Sequence, residues 1–203
     1  MDLNLFSRSD QQLVEKALSG NKNAWFELIS RYEQSIFNYA MRMTSQSHDA
    51  KDLMQEIFIS VFNSLHSFKG EGSFKAWLFR IAHFRSMDFY RRKKPNVSLD
   101  DAPELIDSRI DESGSAQVSG VDSGNIESTN IESQLVFKQS QQALLNTMQQ
   151  LPFNQKIVIE LKFFGQFTFD EIAQQLGVST NTVKSRLYAA LGKLKTILEV
   201  EHV

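Results

Sequence analysis

The segment that most constrains this chain lies near its carboxyl end, at residues 168–188. Thr168 and Glu171 have the spacing of a capping box, in which the two residues satisfy backbone amides at a helix start. Apolar residues follow at helical spacing, and Gly177 then occupies a position where a left-handed C-cap favours glycine. The segment therefore predicts a short helix, a tight turn and a second helix, which is the arrangement of a helix-turn-helix.

The second helix of this segment has one apolar side and one polar, basic side. Ser179 or Thr180 can cap its start. The apolar positions are Val183, Leu187, Leu191 and Leu194. The opposite side carries groups that can bind base edges and phosphates in a major groove, namely Asn181, Lys184, Ser185 and Tyr188. A helical hairpin in a core would explain the apolar positions but not the polar side, so we predict DNA binding.

Composition places the chain among ordinary globular proteins. It has 203 residues, 41% of them hydrophobic, which is enough for one or two domains with their own cores. It contains no cysteine, which excludes disulfides and cysteine-ligated metal centres. The sequence shows no signal-peptide pattern, and no apolar run approaches the roughly 20 residues of a membrane span. We therefore expect a soluble, cytoplasmic protein.

Charge is unevenly distributed along the chain. The net charge is −2, but residues 95–136 contain nine acidic residues and one basic residue. Residues 69–94 contain eight basic residues and two acidic residues. The small net charge therefore hides a basic segment, which suits nucleic acid, and a separate acidic segment.

Three helices are predicted before the basic segment. The first spans residues 10–19 and ends at Gly20, and the second begins at an Asn23 cap and runs to about residue 44. The third begins at His48 or Asp49 and carries a wide apolar stripe. Its first turns also present four polar groups: Asp49, Asp52, Gln55 and Glu56. By themselves these groups are typical of a solvated acidic face, which the helix dipole favours near an N-terminus.

A loop with two glycines, residues 68–74, leads into a fourth predicted helix that runs to about Lys94. One side of this helix suits a core: Phe74, Trp77, Leu78, Ile81 and Ala82. Its other sides interleave aromatic and basic groups: Phe79, Arg80, His83, Phe84, Arg85, Phe89, Tyr90, Arg91, Arg92, Lys93 and Lys94. Basic groups neutralise phosphates and aromatic faces stack on unpaired bases, so this combination favours single-stranded DNA. The alternative is that most of the rings belong to a core, which we prefer for Trp77.

The acidic segment separates two helical modules. Pro95 ends the fourth helix, and residues 96–133 are rich in polar residues with no sustained apolar period, which predicts a flexible acidic linker. Helical spacing resumes from residue 134. Pro152 suits the first position of a new helix, and Gly165 ends that helix before the helix-turn-helix. We therefore predict a second module of four helices.

No catalytic constellation is apparent in the sequence. It contains no His-Glu-x-x-His, no Gly-Lys-Ser/Thr loop and no Gly-x-Ser-x-Gly motif. The histidines lack metal-site spacing; they are His48, His66, His83 and His202. We predict no catalytic residue, no metal and no cofactor.

Four segments, taken in this order, resemble bacterial RNA polymerase sigma factors of the extracytoplasmic-function group in the sigma-70 superfamily, in particular the RpoE-like stress sigma factors. The segments are residues 49–58, residues 68–82, the pair Leu151-Pro152, and residues 168–187. The resemblance spans about residues 10–197 and leaves only the linker unmatched. It implies an all-α protein with two small helical domains, and we place their bounds at residues 1–95 and 134–203, joined by a linker at 96–133.

The resemblance also implies roles for individual residues. The third helix would dock on the clamp helices of core RNA polymerase through Asp49, Asp52, Leu53, Gln55, Glu56 and Phe58. The loop and fourth helix would read and melt the minus-ten promoter element through Lys69, Ser73, Phe74, Lys75, Trp77, Arg80, His83, Phe84, Arg85, Tyr90, Arg91 and Arg92. The helix-turn-helix would read the minus-thirty-five element through Ser179, Thr180, Asn181, Thr182, Lys184, Ser185, Arg186 and Tyr188.

The implied partners are core RNA polymerase, promoter DNA and an inhibitory anti-sigma factor, which in this family is often bound to the membrane. Many relatives carry a polar residue, often asparagine, at the position of Phe84, and a phenylalanine cannot make the same hydrogen bonds to base edges. The alternative function is a free-standing helix-turn-helix regulator of a duplex operator, which usually requires a two-fold dimer. A helical adaptor without a DNA role would leave the basic residues unexplained.

Overall fold

The computed structural model describes residues 8–70, 72–93 and 145–201, with side chains to residue 197. Every regular element within these ranges is helical, which confirms the all-α prediction. The N-terminal module contains a 3-10 turn at Leu65–Ser67 and four helices: α1 (Asp10–Leu18), α2 (Lys22–Thr44), α3 (Ser47–Ser64) and α4 (Phe74–Lys93). The predicted linker lies outside the described residues.

The C-terminal module is described from residue 145 onwards. It contains a helical segment at residues 145–149, followed by three helices: α5 (Phe153–Ile159), α6 (Phe169–Leu176) and α7 (Thr180–Glu201). The helix α5 continues directly into a π-turn at Glu160–Phe164. Among the described helices, none combines the length and the apolar character needed to cross a bilayer.

Side-chain caps fix several helix starts. Ser9 and Gln12 form a capping box at α1. The cap of α2 is Asn21, whose Oδ1 accepts a hydrogen bond from the Ala24 amide at 3.1 Å, so the predicted Asn23 cap is wrong by two residues. Both asparagines can cap a helix, and the chain uses the earlier one because Gly20, at φ +88°, has already turned the backbone.

The core of the N-terminal module follows the predicted apolar stripes. The helices α2, α3 and α4 pack together, and the stripe of α3 is buried as predicted at Leu53, Ile57 and Val61. At its centre the fully buried Tyr39 hydroxyl lies 2.9 Å from the Ser86 hydroxyl of α4, so the one polar group of that ring is satisfied. This packing sets the orientation of α4, and therefore of the aromatic and basic side chains that it carries.

The chain turns a closely packed corner at Gly165, directly after the π-turn. Gly165 ends this helical segment, as predicted, although the last turn before it is a π-turn, and its amide donates to the Glu160 carbonyl at 2.8 Å. A Cβ atom added to Gly165 would lie 2.7 Å from the Leu161 carbonyl oxygen and 2.7 Å from the Phe167 ring. The corner therefore requires glycine here because of close packing rather than because of an unusual φ angle.

Replacing Gly165 by alanine is expected to destabilise the chain by about 1–3 kcal/mol, because the Phe167 ring and the backbone must move apart. Urea unfolding measures the change in the free energy of unfolding. The matched control is Gly192→Ala in α7, where nothing lies within 4 Å of an added Cβ and helix propensity favours alanine. Equal stability of the two variants would contradict the close packing at the corner.

The two modules pack against each other, which the sequence did not predict. Phe153 of α5 contacts two rings of α4, with ring centroids 6.0 Å from His83 and 5.3 Å from Tyr90. Phe167 lies 5.6 Å from Phe79, also on α4. The chain therefore contains two helical modules, as predicted, and the modules contact each other through apolar side chains along one side of α4.

Candidate nucleic-acid and partner interfaces

The helix-turn-helix has the predicted local geometry. Thr168 and Glu171 form the capping box of α6, and Gly177 ends that helix with φ +66°. The Ser179 hydroxyl accepts a hydrogen bond from the Thr182 amide at 3.1 Å and so caps α7, which settles the choice between Ser179 and Thr180. These caps fix the angle at which α7 leaves the turn.

The exposed side of α7 carries the groups predicted to contact a duplex. Asn181, Lys184 and Ser185 are exposed, and Tyr188 is 68% exposed. Arg186 differs from them, because it is half-buried and its charge acts on His83 of α4. The polar side of α7 is therefore free for a major groove, while Arg186 is turned towards the other module.

The buried side of α7 differs from the prediction at one position. Val183 and Leu187 are buried as expected, but the next buried residue is Ala190, and Leu191 is 38% exposed. The reason is helical geometry: with 3.6 residues per turn, Ala190 lies on the same side of α7 as Leu187. The buried stripe therefore continues through Ala190, and Leu194 is only partly buried.

The helix α4 presents an outward basic and aromatic surface. Arg80 and Arg85 are exposed, and Phe84 is 44% exposed, a large fraction for a phenylalanine. The Arg80 guanidinium lies 5.9 Å from the centroid of the Phe84 ring. Near the end of the helix, Arg92 lies 5.7 Å from the Phe89 ring. A strand passing along this surface would meet cations and one exposed ring face, as stacking on unpaired bases requires.

Other residues predicted to contact the minus-ten element are partly or fully buried by neighbouring side chains. Phe74 and Trp77 join Phe68 in a ring cluster with centroid separations of 5.5–5.6 Å, so the preference for Trp77 as a packing residue is supported. Lys75 lies 5.5 Å from the Phe167 ring, and partial burial lowers its pKa while Glu171 acts in the opposite direction. In this arrangement these side chains hold the loop and the modules together rather than project into solvent.

His83 is buried at the contact between the modules. Its side chain is 2% exposed, and its Nδ1 atom has no hydrogen-bond partner within the described residues. Burial, with smaller contributions from the cationic Arg186 and Arg80, lowers the pKa of His83 from 6.5 to about 4. The imidazole is therefore neutral at physiological pH and packs as an aromatic ring against Phe153.

This burial predicts a dependence of stability on pH. The contribution of neutral His83 is fully present above pH 6.5 and is lost as the pH falls towards 4, because the unfolded chain binds the proton more tightly. From pH 7 to pH 5 the wild-type chain should lose about 2 kcal/mol more unfolding free energy than His83→Phe, which has no titrating group there. Urea unfolding of both proteins at the two pH values tests this. Parallel losses would show that folding does not lower the pKa of His83.

The acidic residues of α3 divide into two groups. Asp49 pairs with Lys93, and Glu56 accepts two hydrogen bonds from Arg92 at 2.7 Å, so both contact the end of α4. Asp52 is half-exposed, and its carboxylate lies 3.0 Å from His48 Nδ1. The carboxylates of Asp49 and Asp52 lie close enough to His48 to share a cation, but each already has a partner within the chain.

An apolar groove with a volume of about 890 Å³ lies between α2 and α3. Its walls include Trp25, Phe37, Met54, Phe58 and Ile59, with Gln55 and Lys51 at the polar edge. Ile59 is 52% exposed and Phe62 is 63% exposed, while the Phe62 ring packs against Trp25 at 5.1 Å. Large apolar groups that line a groove and remain exposed mark a protein-binding surface.

The groove was only partly foreseen from the sequence. Gln55 and Phe58 of the predicted docking set line it, whereas Leu53 is fully buried in the core below. Ile59 and Phe62 were missed, although both are large apolar residues outside the buried stripe of α3. Such a position on an otherwise amphipathic helix is the signal that could have identified them.

Comparison with known proteins accounts for both modules. The family model for sigma-70 region 2 matches residues 28–95, and the model for sigma-70 region 4 matches residues 141–194, so that together they span more than half of the chain. The chain belongs to the sigma-70 family. Within it, the similarities below place the chain in the extracytoplasmic-function group.

The sequence is similar to named sigma factors over nearly its full length. It is 29% identical over 185 residues to the ECF RNA polymerase sigma-E factor of Escherichia coli strain K12, covering 90% of each chain. It is 28% identical to the protein of the same name from Haemophilus influenzae, covering 90% of this chain and 91% of that one. The predicted resemblance is thereby confirmed.

Two solved structures share the fold. One is CnrH in complex with the cytosolic domain of CnrY, which has a TM-score of 0.64 and 22% identity and covers 94% of this chain and 97% of that chain. The other is the sigma factor RpoE in complex with the anti-sigma factor NepR from Bartonella quintana, which has a TM-score of 0.60 and 19% identity and covers 87% of this chain and 97% of that chain. Region 2 of this sigma factor thus contains α4 and the groove apart from Trp25, and region 4 contains the helix-turn-helix.

Proposed function

We propose that this sigma factor divides its work among three surfaces: the groove between α2 and α3 docks core RNA polymerase, the outer side of α4 binds the melted minus-ten strand, and α7 reads the minus-thirty-five duplex. Its family supports the overall activity, which is to bind core polymerase and direct transcription initiation at specific promoters. The chain acts as an initiation factor and performs no chemistry of its own.

The observation that carries the proposal is that each of these three surfaces has a different chemical character. The groove is apolar and exposed, which suits a helical protein partner. The outer side of α4 combines Arg80 and Arg85 with the exposed Phe84, which suits an unpaired strand. The exposed side of α7 offers Asn181 and Lys184, which suit base edges and phosphates of a duplex.

Only some of the residues that the sequence predicted for polymerase docking keep that role in the proposal. We assign polymerase docking to Asp52, Gln55 and Phe58 together with Ile59 and Phe62, and we treat Asp49 and Glu56 as contacts that hold α4 against α3. We keep the domain bounds at residues 1–95 and 134–203, with residues 96–133 as the linker. An anti-sigma factor is a further proposed partner, because a solved relative is bound to one, and we propose that the protein works in the cytoplasm, where its polymerase is.

The experiment that tests the function is transcription in vitro with core RNA polymerase and a library of promoter fragments. The protein should select a subset of fragments that share two sequence elements, and polymerase without it should give no specific transcripts. The alternative, a free-standing operator-binding regulator, would bind a symmetric duplex as a dimer without polymerase and would leave promoter choice unchanged.

A further inference from the structure

The exposed side of α4 lacks the neutral amide and hydroxyl groups that read many base edges. Along this helix, which the structure describes in full, the exposed side chains are Arg80, Phe84, Arg85, Arg92 and Lys93. Three of these cations are paired with carboxylates: Arg85 with Asp88, Arg92 with Glu56 and Lys93 with Asp49. Arg80 instead contacts the ring of Phe84. These two side chains are therefore the part of the surface that is best placed to meet an unpaired base.

Arg80 and Phe84 lie one helical turn apart, and a gap separates them. The Arg80 guanidinium carbon lies 5.9 Å from the centroid of the Phe84 ring. In a tight contact of the same kind, Arg42, which is paired with Glu160, lies 3.9 Å from the Phe164 ring. A flat base between a guanidinium and a ring needs two stacking separations of about 3.5 Å, or about 7 Å in all. The gap is therefore only about 1 Å narrower than a base requires.

One wall of this gap is fixed and the other can move. The Phe84 ring packs against the buried His83 ring, with centroids 5.5 Å apart, and His83 packs in turn on Phe153. Arg80 is exposed, and exposed side chains change rotamer within nanoseconds. A small movement of the Arg80 side chain is therefore enough to admit a base.

A second pair on α4 has a similar separation but does not offer such a site. Arg92 lies 5.7 Å from the Phe89 ring. It also donates two hydrogen bonds to Glu56 of α3, both at 2.7 Å, which hold the guanidinium in place. The Phe89 ring is partly buried, whereas the Phe84 ring is 44% exposed. Arg80 and Phe84 thus combine an open ring face with a guanidinium that can move.

We propose that Arg80 and Phe84 form a sandwich that holds one unpaired base of the melted strand and prefers a purine. The inference rests on the proposed function of α4 and deepens it by naming the class of base that this helix selects. Guanidinium planes and aromatic faces both stack on unpaired bases without reading their edges. A purine has the larger face and covers more of both walls, so the selection comes from stacking strength. Adenine and guanine are accepted alike, and cytosine and thymine are bound less well.

The test measures binding of short single strands to the full chain at low salt by fluorescence anisotropy. The probes are a labelled thymidine strand and the same strand with one central adenine, guanine or cytosine. Either purine should tighten binding by about 3- to 5-fold, and the cytosine should leave it unchanged, because only the stacked face differs. The thymidine neighbours are uniform, so the strand can shift until the favoured base reaches the sandwich.

Substitutions of the two walls separate stacking from charge. Phe84→Leu keeps an apolar side chain without a ring face, and Arg80→Lys keeps the charge without the planar group. Both should abolish the purine preference, while Phe84→Trp should retain it, and circular dichroism should stay helical in all three. The matched control is Arg8→Lys, at an exposed arginine of the same module that pairs with Glu27. It should keep the purine preference of the wild type.

The outcomes distinguish the sandwich from the function on which it rests. Equal binding of all the strands by the wild type, or a purine preference that survives in Phe84→Leu, would overturn the sandwich and leave strand binding by α4 standing. A preference that survives in Arg80→Lys would overturn the role of the guanidinium as a wall. If the chain bound none of the strands, the assignment of the melted strand to α4 would fail together with the sandwich.

Discussion

The double variant Ile59→Lys with Phe62→Glu is expected to lose binding to core RNA polymerase and to keep its helical fold. Both side chains are more than half exposed, so the change removes little internal packing beyond the edge contact of Phe62 with Trp25. In a docked complex the two charges would be buried against a partner, and hot-spot residues near the centre of an interface cost about 2 kcal/mol or more each when truncated. Affinity should therefore fall by at least about 100-fold, as measured with immobilised core polymerase.

The matched control for the groove is Leu18→Glu at the end of α1. Leu18 is an apolar residue of the same module, 48% exposed, and does not line the groove. The control should bind polymerase as the wild type does, because a general increase in surface charge is not expected to matter. If the control and the groove variant lose affinity equally, or if neither does, the groove is not the docking surface.

The second large effect is expected at the recognition helix. Asn181→Ala combined with Lys184→Ala should weaken binding of the polymerase complex to the duplex promoter by at least about 30-fold, since each of the two lost contacts costs about 1–3 kcal/mol. Both side chains are exposed, and Lys184 lies 5.6 Å from the centroid of the Phe169 ring. The slope of affinity against salt concentration should also decrease if Lys184 contacts a phosphate.

The control for the recognition helix is Lys193→Ala, an exposed lysine farther along α7. It lies beyond the first turns, which enter a major groove in helix-turn-helix proteins. Gel-shift titrations on the selected promoter compare the variants. If Lys193→Ala lost as much affinity as the double variant, the lysines would act by general charge attraction to DNA and not by contacts within the major groove.

Local signals in the sequence predicted the elements of this fold well. The capping box at Thr168 and Glu171 and the left-handed Gly177 depend on residues within a few positions of each other, so the sequence alone specifies them. The same holds for the buried stripe of α3, which follows from helical period. The cap of α7 stayed open between Ser179 and Thr180 until the structure showed the bond to Ser179. Asn21 and Asn23 show the limit of this reasoning, because both satisfy the capping rule and only the turn at Gly20 decides between them.

Contacts between the modules could not be predicted in this way. Arg42 and Glu160 are 118 positions apart, and neither has a local pattern that indicates its partner. The helix α4 was ambiguous for a related reason, since rings on several of its sides can be core or surface until the neighbouring elements are placed. The structure separates them: Phe79 and His83 are buried, and Phe84 is exposed.

The docking residues were uncertain because a carboxylate on a helix has many possible partners. Asp49 and Glu56 were predicted as polymerase contacts, and in the structure they bind Lys93 and Arg92 of the neighbouring helix. A charge reversal at Glu56 would therefore disturb the packing of α3 on α4 as well as any docking. Asp52, which is half-exposed and lies 3.0 Å from His48 on its own helix, is the better position at which to test an acidic contribution.

The most direct test of the account is transcription from a duplex promoter and from the same promoter with an artificially melted minus-ten bubble. Phe84→Ala should initiate poorly on the duplex, because a base–aromatic stack is worth about 1–3 kcal/mol, and the bubble should restore much of its activity. Asn181→Ala with Lys184→Ala should remain weak on both templates, because the bubble does not replace duplex recognition. An equal response of the two variants to the bubble would contradict the division of duplex reading and strand capture between α7 and α4.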